Sequence, residues 1–143
     1  MDDYTTSVEN WMKDFPKRAT PSYNQRYQFQ IRYCGSEEVQ VRDGEEQIWA
    51  DGINAQAGQL LEAKFVENPK NSPYVSDSNI PPFIRTKAVN DVENEFRRYA
   101  AVINDVNTPV VELQVIVNIE EAVPFFKSLL SKYKLPGSVV VRS

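Results

Sequence analysis

Trp49-Ala50-Asp51-Gly52-Ile53, a turn at Asn54-Ala55-Gln56-Ala57-Gly58, then Gln59-Leu60-Leu61-Glu62-Ala63-Lys64-Phe65-Val66: this stretch sets three ionisable groups inside apolar, strand-forming runs. Residues 47–53 and 59–66 read as the two strands of an antiparallel hairpin. Side chains along a strand alternate faces, so Glu62 and Lys64 share one face with Leu60 and Val66, while Leu61, Ala63 and Phe65 take the other. With the turn centred between Gln56 and Ala57, residues whose numbers sum to about 113 pair across the hairpin, which sets Asp51 opposite Glu62.

Two carboxylates on adjacent strands repel, and a half-buried sheet face disfavours ionised groups. A cation offsets both penalties. Oxygen donors of this kind suit a hard divalent ion, Mg²⁺ or Mn²⁺, which binds through one or two carboxylates while retaining waters and phosphate oxygens. Lys64, two residues beyond Glu62, is placed to orient or deprotonate a water or to stabilise charge on a phosphate. On a surface hairpin the same residues would form only a weak ion pair. Here the charges interrupt the apolar run of residues 60–66 instead of decorating a polar one.

Outward from the hairpin, the pattern alternates helices and strands. Val8, Trp11, Met12 and Phe15 lie at helical spacing, so residues 1–20 read as an N-terminal arm or short helix and 21–143 as the principal domain. A helix over 22–33 opens at Ser22, carries Tyr23, Tyr27 and Ile31 along one stripe and stops at Cys34-Gly35. Its polar residues nearest a site are Gln25, Gln28 and Gln30, none a carboxylate. Strand 38–42 and the Asp43-Gly44 turn lead into the hairpin. The loop 67–82 carries Pro69, Pro73, Pro81 and Pro82 and is long enough to shape access to a neighbouring site. An amphipathic helix over 86–104 is followed by a continuous apolar strand over 110–117, expected to be central. Asn118 is the expected cap of a helix over 118–133 in which Glu120 and Glu121 favour the dipole, and a last strand spans 138–142. The expected class is α/β, a mixed sheet flanked by helices in the order αβββαβαβ.

Composition excludes several chemistries. The chain has 143 residues, no histidine and one cysteine, which rules out Ser-His-Asp hydrolases, Cys-His proteases and cysteine zinc sites in their usual forms. Neither a phosphate-binding Gly-rich loop nor a dinucleotide fingerprint is present among its 5 glycines. No apolar run is long enough for a membrane span, and Met1-Asp2-Asp3 does not begin a signal peptide. The net charge of -4 is unhelpful for binding a polyanion, so any nucleic-acid contact must come from local basic residues. Lys70, Arg85, Lys87, Arg97 and Arg98 follow the hairpin and are the candidates for phosphate contacts.

Asp51-x10-Glu62-Ala63-Lys64 resembles the D-x(n)-E-x-K signature of the PD-(D/E)xK nucleases, the restriction-endonuclease fold, with Ala50 where the signature's proline would stand. Glu95-Phe96-Arg97-Arg98-Tyr99 resembles the Q-x-x-x-Y helix motif of some subfamilies, with Glu95 in place of glutamine. From Glu95 to the Pro136-Gly137-Ser138-Val139-Val140-Val141-Arg142 ending, the chain is similar to restriction-endonuclease-fold toxin domains of bacterial polymorphic and contact-dependent toxin systems. The resemblance implies a Mg²⁺- or Mn²⁺-dependent endonuclease, a DNase in preference to an RNase. Asp51, Glu62 and the Ala63 carbonyl would be metal ligands and Lys64 a catalytic residue, with Gln28, Gln30, Glu95 and Tyr99 in support. It also implies a cognate immunity protein as partner, and delivery into a target bacterial cell as part of a larger toxin. Two alternatives remain: an RNase toxin of the same fold, and an inactive nuclease-fold module that binds without cleaving.

Overall fold

Two sheets share the chain, and the run 47–53 serves both. In the computed structural model, which describes residues 2–143, the order is α1 (Asp3–Met12), β1 (Lys17–Ala19), α2 (Gln25–Cys34), β2 (Glu37–Arg42), β3 (Gln47–Ala50), β4 (Gly52–Asn54), β5 (Gln59–Lys64), α3 (Pro82–Ile103), β6 (Glu112–Val117), α4 (Val123–Lys132) and β7 (Gly137–Val141). One sheet is β1-β2-β3, antiparallel throughout; the other is β4-β5-β6-β7. In the second, β4 runs antiparallel to β5, while β5, β6 and β7 are parallel. Parallel neighbours need long crossovers, which α3 and α4 provide. The fold is therefore the expected α/β class with helices flanking a mixed sheet, but β1, β2 and β3 form a second, antiparallel sheet, and the expected order αβββαβαβ gains β1 before α2 and a division of its second strand into β3 and β4.

The hairpin register is the expected one: Gly52 pairs with Leu61, Ile53 with Leu60 and Asn54 with Gln59. The expected single strand nevertheless breaks at Asp51, because β3 belongs to the sheet of β2 and β4 to that of β5. At the break the Asp51 amide donates to the Leu61 carbonyl at 3.0 Å, although Gly52 is the residue paired with Leu61. Two residues thus face one, the arrangement of a β-bulge, which redirects a side chain where the strand bends. Gly52 is required here for space: a Cβ would lie 2.1 Å from the Cys34 carbonyl oxygen at the end of α2. Gly52→Ala is expected to lower stability by about 1–3 kcal/mol through overpacking, read as a shifted urea midpoint.

Several local expectations resolve differently. Helix α2 is capped by Asn24, whose Oδ1 accepts from the Tyr27 amide at 2.9 Å, and not by Ser22. Asn is at least as good a cap, and it lies nearer the apolar stripe. Asn118 does not cap a helix: its Oδ1 accepts from the Val66 amide at 2.6 Å and its Nδ2 donates to the Val66 carbonyl at 2.8 Å. The side chain thus extends the β5–β6 ladder past Lys64↔Val117, and α4 starts later, after a 3₁₀ turn at Glu120–Ala122. Helix α3 begins earlier than the expected 86, at Pro82, where a proline's missing amide costs nothing. Strand β1 had no signal of its own, being three exposed residues held by β2.

The core is shared by both sheets with α3 and α4, Val39, Val41, Ile48 and Ala50 being the contribution of the first sheet. Phe96, Tyr99 and Val102 of α3, Phe126 of α4 and Leu60, Leu113, Val115 and Val117 of the strands are fully buried, and Val8 of α1 joins them. Phe96 and Phe126 stack at 5.9 Å. Strand β6 carries the continuous apolar run and lies between β5 and β7, the central position expected for a strand covered on both faces.

Candidate active site

The strand break places the first carboxylate. Because β3 leaves for the other sheet, the Ala63 amide has no strand partner on that edge of β5, and the Asp51 carboxylate takes the role, accepting from it at 2.8 Å. Asp51 is 8% exposed and Glu62 4%, so both acids sit beneath the surface. Burial pushes the Asp51 carboxyl up to about 6, against the opposing pull of the Ala63 amide and the Lys64 charge. Glu62 is held well above the ordinary carboxylate range, by burial first and then by the Asp51 charge.

Helix α3 supplies the other half. Glu95 and Tyr99 are four residues apart on the helix, a rise of about 6 Å, and Glu62 and Lys64 are two apart on the strand, about 6.6 Å. The spacings match, so each helix residue meets one strand residue. Lys64 Nζ donates to Glu95 Oε1 at 3.0 Å and Oε2 at 3.3 Å and lies 3.5 Å from Glu62 Oε1. The Tyr99 hydroxyl donates to Glu62 Oε2. Burial alone would lower the Lys64 pKa, but Glu62 and Glu95 outweigh it and hold the ammonium charged. Tyr99 is held neutral by its burial and by Glu62, and so remains a donor.

These residues open into a cleft of about 810 Å³ between the two sheets, α2 and α3. Asp51, Glu62, Ala63, Lys64, Glu95, Gln30 and Arg98 line it. Tyr99 lies behind Glu62, fully buried. The remaining candidates lie outside the lining. Gln28 turns back to the Ser22 carbonyl at 3.3 Å. Arg97 pairs with Glu46, Lys87 with Asp91 on an exposed helix face, and Lys70 is exposed on a 3₁₀ turn. Arg85 holds the proline-rich loop: its guanidinium donates to the carbonyls of Pro73, Val75 and Ser78, each at 3.2 Å, and to the Ser78 hydroxyl at 2.7 Å. That loop brings Tyr74 into the cleft wall. Arg85→Ala is expected to speed proteolytic cutting within residues 67–82 several-fold with little change in global unfolding, as limited proteolysis beside urea denaturation would show.

No local pattern in the sequence points to three groups that the fold brings in. Glu38 of β2 is a third buried carboxylate, 7% exposed, and Arg18 and Arg26 add positive charge to the lining. Their approach depends on β1 and α2 folding over β2, and no spacing within β2 encodes that. Cys34, at the end of α2, has its thiol pushed up by burial and by the charges of Asp51, Glu62 and Glu38, which leaves it a poor nucleophile.

The residues present suit a hard divalent cation. Two buried, adjacent carboxylates are each destabilised as anions, and the Ala63 backbone lies beside them, an oxygen donor set of the kind Mg²⁺ and Mn²⁺ take with waters completing the shell. Among the described residues no cluster of three or more His, Cys, Asp or Glu side chains is arranged to hold a metal by itself.

A mixed sheet flanked by helices, with an acid at a strand break and E-x-K on the next strand, defines a domain of the restriction-endonuclease class. The family model described as restriction endonuclease fold toxin 2 matches residues 25–136, well over half of the chain, and the chain belongs to that family. No curated protein and no solved structure matches it. Among the described residues no helix is long and apolar enough to cross a membrane.

Proposed function

We propose that the chain is a divalent-metal-dependent nuclease, a DNase in preference to an RNase, acting as the toxic domain of an interbacterial effector. The observation that carries this is the convergence of Asp51, Glu62 and Lys64 in one cleft, with Glu95 and Tyr99 fixing the last two. Asp51, Glu62 and the Ala63 carbonyl would hold Mg²⁺ or Mn²⁺. When bound, such an ion supplies charge stabilisation at a phosphoryl centre and a nucleophile at neutral pH.

The chain's own residues prepare the rest. The Ala63 amide fixes Asp51, and the Tyr99 hydroxyl fixes Glu62, so neither acid must reorganise to bind. Lys64, kept protonated by its two glutamates, is a donor for the phosphate or the incoming water, and its ammonium opposes the charge that grows in the transition state. That charge state argues for orientation over proton abstraction. The low exposure of the acids restricts water around the reacting group. A cognate immunity protein and delivery into a bacterial cell as part of a larger toxin follow from the toxin family and belong to the same proposal.

The test is degradation of plasmid, heat-denatured DNA and total RNA by the purified chain, with Mg²⁺, with Mn²⁺ and with EDTA, beside Asp51→Asn. DNA loss that needs both metal and Asp51 supports the DNase reading, and RNA loss alone moves the substrate to RNA. A fully folded chain that cleaves neither polymer in either metal overturns the enzyme assignment and favours a module that only binds.

A further inference from the structure

One wall of the cleft has a construction the hydrolytic chemistry does not need. Arg18 pairs with Glu38 across β1 and β2, and Gln40 pairs with Trp49 across β2 and β3. Side chains alternate along each strand, so Arg18, Glu38 and Trp49 share the sheet face that Val39, Val41, Ile48 and Ala50 do not use for the core. On that face the Arg18 guanidinium lies 4.0 Å from the centre of the Trp49 ring. Its Nε donates to Glu38 Oε1 at 2.6 Å, and Gln30 Nε2 donates to Glu38 Oε2 at 2.6 Å. Glu38 is buried, yet Arg18 remains 54% exposed.

A buried carboxylate held from two sides, whose other task is to hold a half-exposed arginine over an indole, is an expensive way to make a surface ion pair. It is an economical way to make a rigid planar surface. Unpaired bases stack on aromatic rings and on guanidinium planes, whereas a base inside a duplex has both faces occupied by its neighbours. Tyr27, Phe65 and Tyr74 add aromatic lining to the same cleft, and Arg26 and Arg98 add charge for the backbone.

We propose that the Arg18–Trp49 layer is a stacking platform for an unpaired base, so that the cleft takes single-stranded nucleic acid, DNA or RNA, in preference to duplex. The inference rests on the nuclease reading for the fate of the strand but not for its binding. The two can therefore fail separately.

Binding is measured on Glu62→Gln in EDTA, with 12-mer oligonucleotides of one sequence as single-stranded DNA, single-stranded RNA and duplex DNA. Tryptophan emission and the anisotropy of a 5′-labelled strand are followed together. Trp11, packed on Phe15 at 4.9 Å, provides the constant background emission. The expected result is quenching by single strands that disappears in Trp49→Phe, and single-strand affinity at least about tenfold above duplex. Trp49→Ala should weaken single-strand binding about tenfold or more, Trp49→Phe should restore most of it, and a wholly abasic strand should not distinguish the three. A single-strand preference for only one sugar assigns the polymer and sustains the platform. Equal affinity for duplex, no quenching at Trp49, or equal losses on normal and abasic strands would overturn it. Cleavage of the same oligonucleotides by the wild-type chain in Mg²⁺ tests the nuclease reading: binding with quenching in Glu62→Gln but no cleavage by wild type leaves the platform standing and removes the enzyme.

Discussion

Glu62→Gln is expected to reduce cleavage by about a thousandfold or more while making the metal-free protein more stable. The loss follows from removing one of two carboxylates that would hold the metal and from the weaker field at the phosphate; single electrostatic groups in such sites account for about 10²–10³ in rate. The gain follows from burial. Glu62 is 4% exposed beside Asp51, and its carboxyl is held well above its ordinary value, so ionising it costs the fold free energy. A raised folded value for an acid means the native state binds more protons than the unfolded chain. Wild-type stability therefore falls as pH rises above the unfolded value near 4.5, whereas the glutamine variant carries no such term. The variant's advantage in thermal midpoint should be small at pH 4 and grow toward pH 8. Added Mg²⁺ should raise the wild-type midpoint and leave the variant's nearly unchanged. A variant less stable than wild type at pH 8 would show that the carboxylate is structurally needed and that its burial is already compensated.

Lys64→Met is expected to reduce cleavage to the same degree with the opposite effect on stability. The ammonium lies 3.0 Å from Glu95 and 3.5 Å from Glu62, at 15% side-chain exposure. Removing it leaves two carboxylates without their counter-ion and the Asp51–Glu62 repulsion unopposed. Breaking a buried pair from one side costs about 3–5 kcal/mol, and partial exposure of Glu95 places this site at about 3. Adding Glu62→Gln to Lys64→Met should recover part of that loss, because one stranded charge is then gone. Circular dichroism and urea midpoints on the four proteins give the cycle. Activity surviving in Lys64→Met would remove Lys64 from the chemistry, whatever its contribution to the fold.

The α/β class and the hairpin register were legible because they rest on local signals: alternation, a glycine-bearing turn and apolar runs of strand length. The sum rule that pairs Gly52 with Leu61 needed only the position of the turn. The strand break at Asp51 was not legible. Nothing in residues 47–53 marks which sheet each half will join, and the Cys34 carbonyl, which leaves no room for a side chain at Gly52, comes from a helix that ends eighteen residues earlier in the chain. The same holds for polar side chains that work at a distance. Asn118 looks like a helix cap in isolation and becomes a ladder partner only because Val66 lies beside it. Arg85 and Arg97 look like phosphate contacts and are spent on a loop and on Glu46. No local signal marks Arg18 and Glu38 as cleft residues, because β1 exists only as an addition to β2.

The handover of the chain from one sheet to the other at Asp51 separates two tasks along the sequence. Arg18, Arg26, Gln30, Glu38 and Trp49 of the cleft wall all precede it; Glu62, Lys64, Glu95 and Tyr99, joined by hydrogen bonds between strand and helix, all follow. Exchange of the wall between related chains is therefore confined to the cleft-facing positions, because Val39, Val41, Ile48 and Ala50 on the other face belong to the same buried core as Leu60, Phe96 and Tyr99. Asp51 and Gly52 form the hinge point such exchanges must respect, since one supplies a carboxylate to the second half and the other leaves room for the helix of the first.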